Sequence, residues 1–395
     1  MTDTKPIGSG MGLLALFSAT FLSLVGYFML SPMLLLRLKG ADVSTTVAGL
    51  YVATGWLGIL LMTPFASSVA HRFGLRQTLW GAGGVLSVCA ATYLSTDSLL
   101  IWFACNLASG LAMALRWVLA EALIAEFCPP AQRGRYVGLF QTMIGSTFII
   151  GPAAMATLGT HNPATAWLIM AFTVAGLLWT FFIPPVPTAH DGHTAHVGLR
   201  GLWQALQSHA IIMLAGFTGG FFETGLTSIL PLYGLELGMD GQAATALVAI
   251  SGAGGMAISI PAGMLADRFR DPAHGRRVML AGLSCALLLA TCAMPWVARM
   301  VWLSGPMVFL WGGIGGALYT LCITDIGARE KGITLVNSTA VLVLTYTLGG
   351  LVASAMCGAL IDWSPRLALP AALLLVAGVS CVAVLQSHRL ASAAR

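Results

Sequence analysis

Charged residues are scarce in this chain: Asp, Glu, Lys and Arg together make up 8% of its 395 residues. A typical soluble domain carries roughly 25% charged residues. The apolar fraction is 57%, so most of the chain must lie in hydrocarbon. A spanning helix needs about 20 apolar residues, and twelve such helices with short connections would use nearly the whole length. The composition therefore excludes a soluble globular protein and leaves no room for a separate catalytic domain.

Motifs of enzymes and of nucleotide-binding proteins are also lacking. The sequence contains no Walker-A phosphate loop, HExxH or GxSxG motif. The eight cysteines form no CxxC pair, and we interpret them as small packing residues. His190, His193 and His196 have helical spacing, but the prolines around them predict a flexible linker. We therefore expect no enzyme, no metal site, no cofactor and, without a basic patch interleaved with aromatics, no nucleic-acid partner.

Twelve apolar runs are long enough to span a bilayer and predict an all-α membrane protein. With both termini in the cytoplasm, fourteen of the nineteen Lys and Arg residues lie inside, four lie outside and Arg116 lies within a span. This positive-inside bias predicts a multi-pass protein of a bacterial inner membrane. The predicted spans are 11–36, 46–69, 77–95, 98–125, 135–158, 164–184, 209–235, 242–265, 277–297, 300–323, 332–358 and 366–386.

The chain contains two similar halves. Arg133-Gly134-Arg135 followed by Gly151-Pro152 aligns without gaps with Lys331-Gly332-Ile333 followed by Gly349-Gly350. Parallel six-helix repeats are typical of transporters that work by alternating access. We predict an N-terminal six-helix bundle over 1–184, a cytoplasmic linker over 185–208 and a C-terminal six-helix bundle over 209–395.

The loop after span eight reads Gly263-Met264-Leu265-Ala266-Asp267-Arg268. It resembles the G-x-x-x-D-R signature of the major facilitator superfamily, and the resemblance extends over the whole chain. It implies a twelve-helix transporter fold with a cytoplasmic gate, in which Gly263 permits close helix approach and Asp267 with Arg268 forms a latch. The first-half copy differs, because Ser67 replaces the glycine and His71 the aspartate.

Four further residues are expected at the cytoplasmic gate. Arg72 and Arg76 follow the first-half copy of the signature, and Glu121 is expected to pair with such arginines. Asp325 is its counterpart in the second half, with Arg268 or Arg329 as partner.

Span five carries Gly145, Gly151 and Pro152, which resemble the G-P motif of antiporters in the same family. The resemblance implies a kink and tight packing that favour proton-driven export. The motif's trailing glycine pair is missing, since Met155 and Ala156 stand there. Ordinary small-residue helix packing is the alternative, because Gly and Pro are frequent in spans.

Glu223 lies deep within span seven, in the sequence Phe221-Phe222-Glu223-Thr224-Gly225. Ionisable residues at membrane depth are costly and point to function. Burial disfavours the charged form of a carboxyl group, so Glu223 is our candidate for binding and releasing the coupling proton. The alternative is a neutral acid that is hydrogen-bonded to a neighbouring helix.

Arg116 lies within span four and stays charged in a protein. The resemblance implies that spans one, four, seven and ten line a central cavity, where Arg116 would pair with Glu223 or bind an anionic substrate group. The alternative is that Arg116 extends to the headgroups. Asn106 stands where many family members have an arginine, while Trp117 in span four and Tyr319 in span ten lie in stretches that resemble a bacterial, exporter-like branch. We place all three in the same cavity.

We expect a monomeric secondary transporter whose partners are a small-molecule substrate, protons and the bilayer. The predicted function is proton-coupled efflux of a small, partly apolar compound. Proton-linked uptake of a small organic anion, attracted by Arg116, is an alternative. A non-transporting membrane scaffold or sensor with the same fold is the alternative of another class.

Overall fold

The computed structural model describes residues 9–127, 133–159, 162–184, 199–269, 271–297, 300–329 and 332–393, which are helical and contain no β-strand. The α-helices are α1 Ser9–Gly40, α2 Thr45–Met62, α3 Ala66–Phe73, α4 Leu75–Ser95, α5 Leu99–Phe127, α6 Arg133–Leu158, α7 Pro163–Thr180, α8 Leu199–Ser208, α9 Ala210–Gly220, α10 Thr227–Glu236, α11 Gly241–Asp267, α12 Pro272–Cys292, α13 Met294–Val297, α14 Ser304–Arg329, α15 Gly332–Trp363 and α16 Ala368–Ala393. The linker histidines, 190, 193 and 196, lie outside the described residues.

Each of the twelve predicted spans coincides with one or more of these helices. Among the described residues, ten helical stretches are long and apolar enough to cross a membrane. The two remaining predicted spans, 77–95 and 135–158, correspond to α4 and α6. The all-α membrane architecture is therefore confirmed, and the helices are consistent with twelve spans.

Polar side chains mark helix starts where the chain turns back. Asn162 accepts a hydrogen bond from the backbone N–H of Ala164, and Pro163 occupies the first helical position of α7. Asp240 accepts one from the N–H of Ala243 at the start of α11. Such caps satisfy N–H groups that have no partner within the helix, which fixes where the helix begins.

The chain divides into two compact units. The first consists of residues 1–34 and 54–190, and the second of residues 35–53 and 191–395. In the first unit α4 packs against α5 and α7. Its core contains Leu16, Leu123, Ile124, Phe140 and Ile183, all almost fully buried. The prediction of two repeated bundles, 1–184 and 209–395, stays a prediction.

In the second unit α11 packs against α14, α9 against α15, and α12 against both α14 and α16. Residues 35–53 join this unit although α1 and α2 continue into the first. Asp362 accepts hydrogen bonds from the backbone N–H groups of Thr45 at 2.9 Å and Thr46 at 2.5 Å, and also from the Thr45 hydroxyl group. A side chain of α15 therefore caps the N-terminus of α2. Lys39 adds an ion pair with Glu236 at 3.0 Å.

Candidate functional site

Glu223 lies where the helix of span seven changes its winding. The span consists of α9, a π-helical turn over Phe221–Leu226 and α10. A π-helical turn is rare and is frequently found at functional sites. Glu223 is partly buried, whereas the neighbouring Phe221 and Phe222 are fully buried. The wide turn therefore presents a carboxyl group from an otherwise apolar part of the span.

Two tyrosines accompany this carboxyl group. The Tyr346 hydroxyl on α15 donates a hydrogen bond to Glu223 Oε2 at 2.9 Å. The rings of Tyr346 and Tyr319 have centroids 4.6 Å apart, and Tyr319 lies on α14. Residues from spans seven, ten and eleven thus meet, and Tyr319, which we predicted for the substrate cavity, lies beside Glu223's partner.

Two glycines on α14 leave space for the Glu223 carboxyl group. A Cβ atom on Gly316 would lie 2.7 Å from Glu223 Oε1 and 2.8 Å from Ser259 Oγ of α11. A Cβ on Gly315 would lie 2.9 Å from both the backbone nitrogen and the Cβ of Glu223. Side chains at either position would clash, so these glycines are required for α14 to approach the π-helical turn.

Tyr346 is the functional residue that sequence reasoning missed. Tyrosines in membrane proteins are enriched at the membrane–water interfaces. A tyrosine in the middle of a long apolar run, flanked by Thr345 and Thr347, was therefore the available signal. The hydroxyl group of a buried tyrosine usually needs a partner, and that partner here is Glu223.

Arg116 lies inside the first unit and is 7% exposed. Its Nη2 donates to the carbonyl oxygen of Ala19 at 3.0 Å and to the Ser23 hydroxyl at 2.9 Å, both on α1. Its Nη1 has no hydrogen-bond partner among the described residues, and no described carboxylate lies within ion-pair distance. The predicted alternative of a pair with Glu223 stays a prediction.

Two further residues of α5 that we predicted for the cavity differ in exposure. Asn106 is buried and donates a hydrogen bond to the Thr54 hydroxyl at 3.2 Å. Trp117 is 41% exposed and lines the same small cavity as Arg116. Asn106 therefore joins two helices of the first unit, while Trp117 borders the arginine.

Asp325, which we predicted for the second-half gate, is almost fully buried. Arg276 Nε donates to its Oδ1 at 3.0 Å. Arg329 Nη2 lies 2.7 Å from Oδ2, as an ion pair without hydrogen-bond geometry. Arg329 was one of two predicted partners, whereas Arg276 was missed and Arg268 is exposed. Asp325 thus holds the start of α12 and the end of α14 together.

The other gate residues form a less connected set. Arg76 Nη2 donates to the carbonyl oxygen of Phe181 at 3.1 Å, and its guanidinium lies 4.8 Å from the ring centre of Trp80. Arg72 lies 5.6 Å from the ring centre of Phe73. The side chains of Glu121 and Asp267 lie outside the described part of the chain, so the predicted latch stays a prediction.

Two predicted glycines have opposite surroundings. A Cβ on Gly151 would lie 2.7 Å from the Cβ of Phe28 and 3.1 Å from the carbonyl oxygen of Val25. Gly151 therefore packs closely against α1, while the role predicted for the motif of Gly145, Gly151 and Pro152 stays a prediction. No described atom lies within 4 Å of a Cβ placed on Gly263. The expectation that Gly263 allows close helix approach stays a prediction, since the described residues leave that face of α11 open.

Comparison with known proteins follows this geometry. The family model described as Major Facilitator Superfamily matches residues 16–340, and the chain therefore belongs to this superfamily of transporters. The uncharacterized MFS-type transporter YfkF of Bacillus subtilis (strain 168) is 22% identical over 332 residues, covering 82% of each chain. The uncharacterized MFS-type transporter YcaD of Escherichia coli is 22% identical over 352 residues, covering 89% of this chain and 87% of its own.

Solved structures share the fold at lower identity. The nucleoside transporter NupG has a TM-score of 0.74 at 11% identity, covering 95% of this chain and 97% of its own. The D-xylose-proton symporter has a TM-score of 0.73 at 15% identity, covering 96% of each chain. At this identity the likeness shows the fold of the chain.

Proposed function

We propose that this protein is a proton-coupled secondary transporter that exports a small, partly apolar compound across the bacterial inner membrane, with both termini in the cytoplasm. The observation that carries the proposal is the Glu223 carboxyl group, which lies at a π-helical turn within a membrane span and accepts a hydrogen bond from Tyr346. A carboxyl group in such surroundings serves as a proton-binding site. Among solved relatives of this fold, one is described as a proton symporter.

Glu223 would act by changing its charge. The ionised carboxylate accepts a strong hydrogen bond from the Tyr346 hydroxyl, because hydrogen bonds to charged groups are roughly twice as strong as neutral ones. Protonation weakens this tie between the span-seven turn and α15 and turns the carboxyl group into a donor. A proton that binds the two conformations of a transporter unequally shifts the population between them. Coupling follows when the exported compound favours the opposite conformation.

The partly apolar character of the proposed transported compound is inferred from the residues around Glu223. The Glu223 carboxyl group and the hydroxyl groups of Tyr346 and Ser259 are polar groups at this point, while Phe221, Phe222 and the glycines of α14 supply apolar surroundings. Mostly apolar walls with few polar groups are typical of sites for small organic molecules. The proposal of a partly apolar compound rests on this balance.

The test compares small molecules inside and outside cells that produce matched amounts of wild type or Glu223→Gln. Glutamine keeps the shape of the side chain but cannot exchange a proton, so we expect a compound enriched in the medium with the wild type alone. Glu236→Gln is the matched control, because Glu236 lies at the outer end of the same span and pairs with Lys39. Its profile should equal that of the wild type.

The remaining outcomes separate the alternatives. A compound enriched inside the cells that produce the wild type would favour uptake over export. Profiles that do not differ between wild type and Glu223→Gln at any pH would reject coupling through Glu223 and favour a scaffold or sensor. Detergent-solubilised Glu223→Gln should elute like the wild type on gel filtration, which excludes misfolding as the cause of a lost signal.

A further inference from the structure

A small cavity inside the first unit lies beside Arg116. Its walls come from α1, α4, α5, α6 and α7. Its volume is about 30 Å³, whereas a cavity needs roughly 10–15 Å³ to hold one water molecule. The space therefore suits a monatomic anion or two to three water molecules.

The charge of Arg116 has little compensation in this position. Its guanidinium group cannot lose its proton in a protein. Both hydrogen bonds of Nη2 go to neutral oxygens, and Nη1 is buried without a partner among the described residues. A buried charge is costly unless it is paired and hydrogen-bonded. None of the residues that line the cavity is acidic.

Arg276 shows how the same chain compensates an equally buried arginine. Arg276 is 6% exposed and Arg116 is 7% exposed. Arg276 donates to the carboxylate of Asp325 at 3.0 Å, while Arg116 has no described carboxylate within reach. Similar burial with opposite compensation indicates that Arg116 can take up a negative charge that the described residues do not supply.

The cavity wall supplies the groups that an anion needs. Arg116 lines it together with the hydroxyl-bearing residues Thr20 and Ser23. A hydroxyl group both accepts and donates, so Ser23 can accept from Nη2 and turn its own hydrogen toward an anion. The remaining wall is mostly apolar, with Leu16, Met113 and Phe140, and a low-dielectric surround strengthens a charge–charge contact.

We propose that this cavity binds a small inorganic anion, chloride in the cell, as the counter-ion of Arg116. The anion would accept hydrogen bonds from the guanidinium N–H groups of Arg116 and from a hydroxyl group on α1. It would thereby connect α5 to α1 within the first unit. The site is separate from the Glu223 site, which belongs to the second unit. The proposal holds whichever compound the protein transports and in whichever direction.

The test is thermal unfolding of the purified protein in detergent, with chloride replaced stepwise by gluconate at constant ionic strength. Chloride that binds only the folded state should raise the wild-type Tm by about 3 °C or more, and the rise should continue logarithmically with chloride concentration above the Kd. Arg116→Met should abolish this rise, because the variant has no charge to neutralise. Arg276→Met is the matched control. Its Tm should still rise with chloride, since Arg276 is paired with Asp325 within the chain and Arg116 is intact in this variant.

Two further measurements keep the test decisive if Arg116→Met fails to fold. Ser23→Ala retains the arginine and should bind chloride several-fold more weakly. Crystals grown in bromide should show anomalous density beside Arg116. A wild-type Tm that is the same in chloride and gluconate, or no bromide at this position, would overturn the proposal and leave the cavity to water. Chloride dependence that survives in Arg116→Met would place the anion elsewhere and overturn it too.

Discussion

At the scale of single residues, the pair of Glu223 and Tyr346 is the centre of the account. The hydroxyl of Tyr346 holds one carboxylate oxygen at 2.9 Å, while Gly316 leaves room for the other. A hydrogen bond to a charged group contributes about 1.5–3 kcal/mol. That range is large enough to decide between two conformations, since 1.4 kcal/mol corresponds to roughly a tenfold change in population.

Tyr346→Phe should therefore lower the transport rate about tenfold, because the carboxylate loses its charge-assisted hydrogen bond. The ring and its contact with Tyr319 remain, so the amount of folded protein should not change. The measurement is the rate at which the exported compound appears in the medium, with expression matched.

Tyr233→Phe is the control for this variant. Tyr233 is buried on α10, in the same span as Glu223, and has no recorded contact with that carboxyl group. Its rate should stay at the wild-type level. An unchanged rate in Tyr346→Phe would mean that the hydroxyl does not control the carboxyl group.

The sequence was informative about which residues carry charge in the membrane, but not about their partners. Glu223 and Arg116 stand out because charges are rare in apolar runs. Tyr346 and Arg276 could not be assigned as partners, because each pairing joins distant parts of the chain. Tyr346 is 123 positions from Glu223, and Arg276 is 49 positions from Asp325. At such separations the local sequence contains no pattern that identifies the partner.

At the scale of helices, positions were predictable and fine structure was not. Each of the twelve predicted spans coincides with a helix, and ten helical stretches of the described residues have the length and hydropathy that the thickness of a bilayer requires. The π-helical turn over Phe221–Leu226 left no trace in the apolar pattern. It packs closely against both α14 and α15, because a Cβ on Gly225 would meet Gly350 and one on Gly315 would meet Glu223. Tertiary contacts of this kind decide local winding.

Glycine packing between helices yields a prediction about stability. Gly151→Val should destabilise the first unit by about 1–3 kcal/mol, because the added side chain would overlap Phe28 on α1. Thermal unfolding in detergent measures this as a lower Tm. Gly263→Ala is the matched control in another long helix, with no described atom within 4 Å of the new Cβ.

Gly263→Ala should be neutral or slightly stabilising, since alanine favours a helix interior more than glycine does. Equal Tm values for Gly151→Val and the wild type would show that α6 and α1 are not held by close packing. A large loss in Gly263→Ala would show that the open face of α11 is covered in the folded protein.

At the scale of the whole molecule, membership of the superfamily follows from a family match over residues 16–340 and from folds shared with solved transporters. The composition and the helix count already pointed to a transporter. Cargo and direction were not predictable, because they depend on a few side chains in a fold that serves many substrates. The account therefore rests on whether a proton at Glu223 drives transport.

The measurement that tests this claim most directly uses the wild type and Glu223→Gln in liposomes with an acidic lumen, given the exported compound on the outside. The account predicts that the wild type accumulates the compound in the lumen above its outside concentration, and that an ionophore that collapses the pH gradient abolishes this. Glu223→Gln should only equilibrate the compound. Accumulation by Glu223→Gln equal to that of the wild type, or accumulation that persists without the pH gradient, would contradict the account.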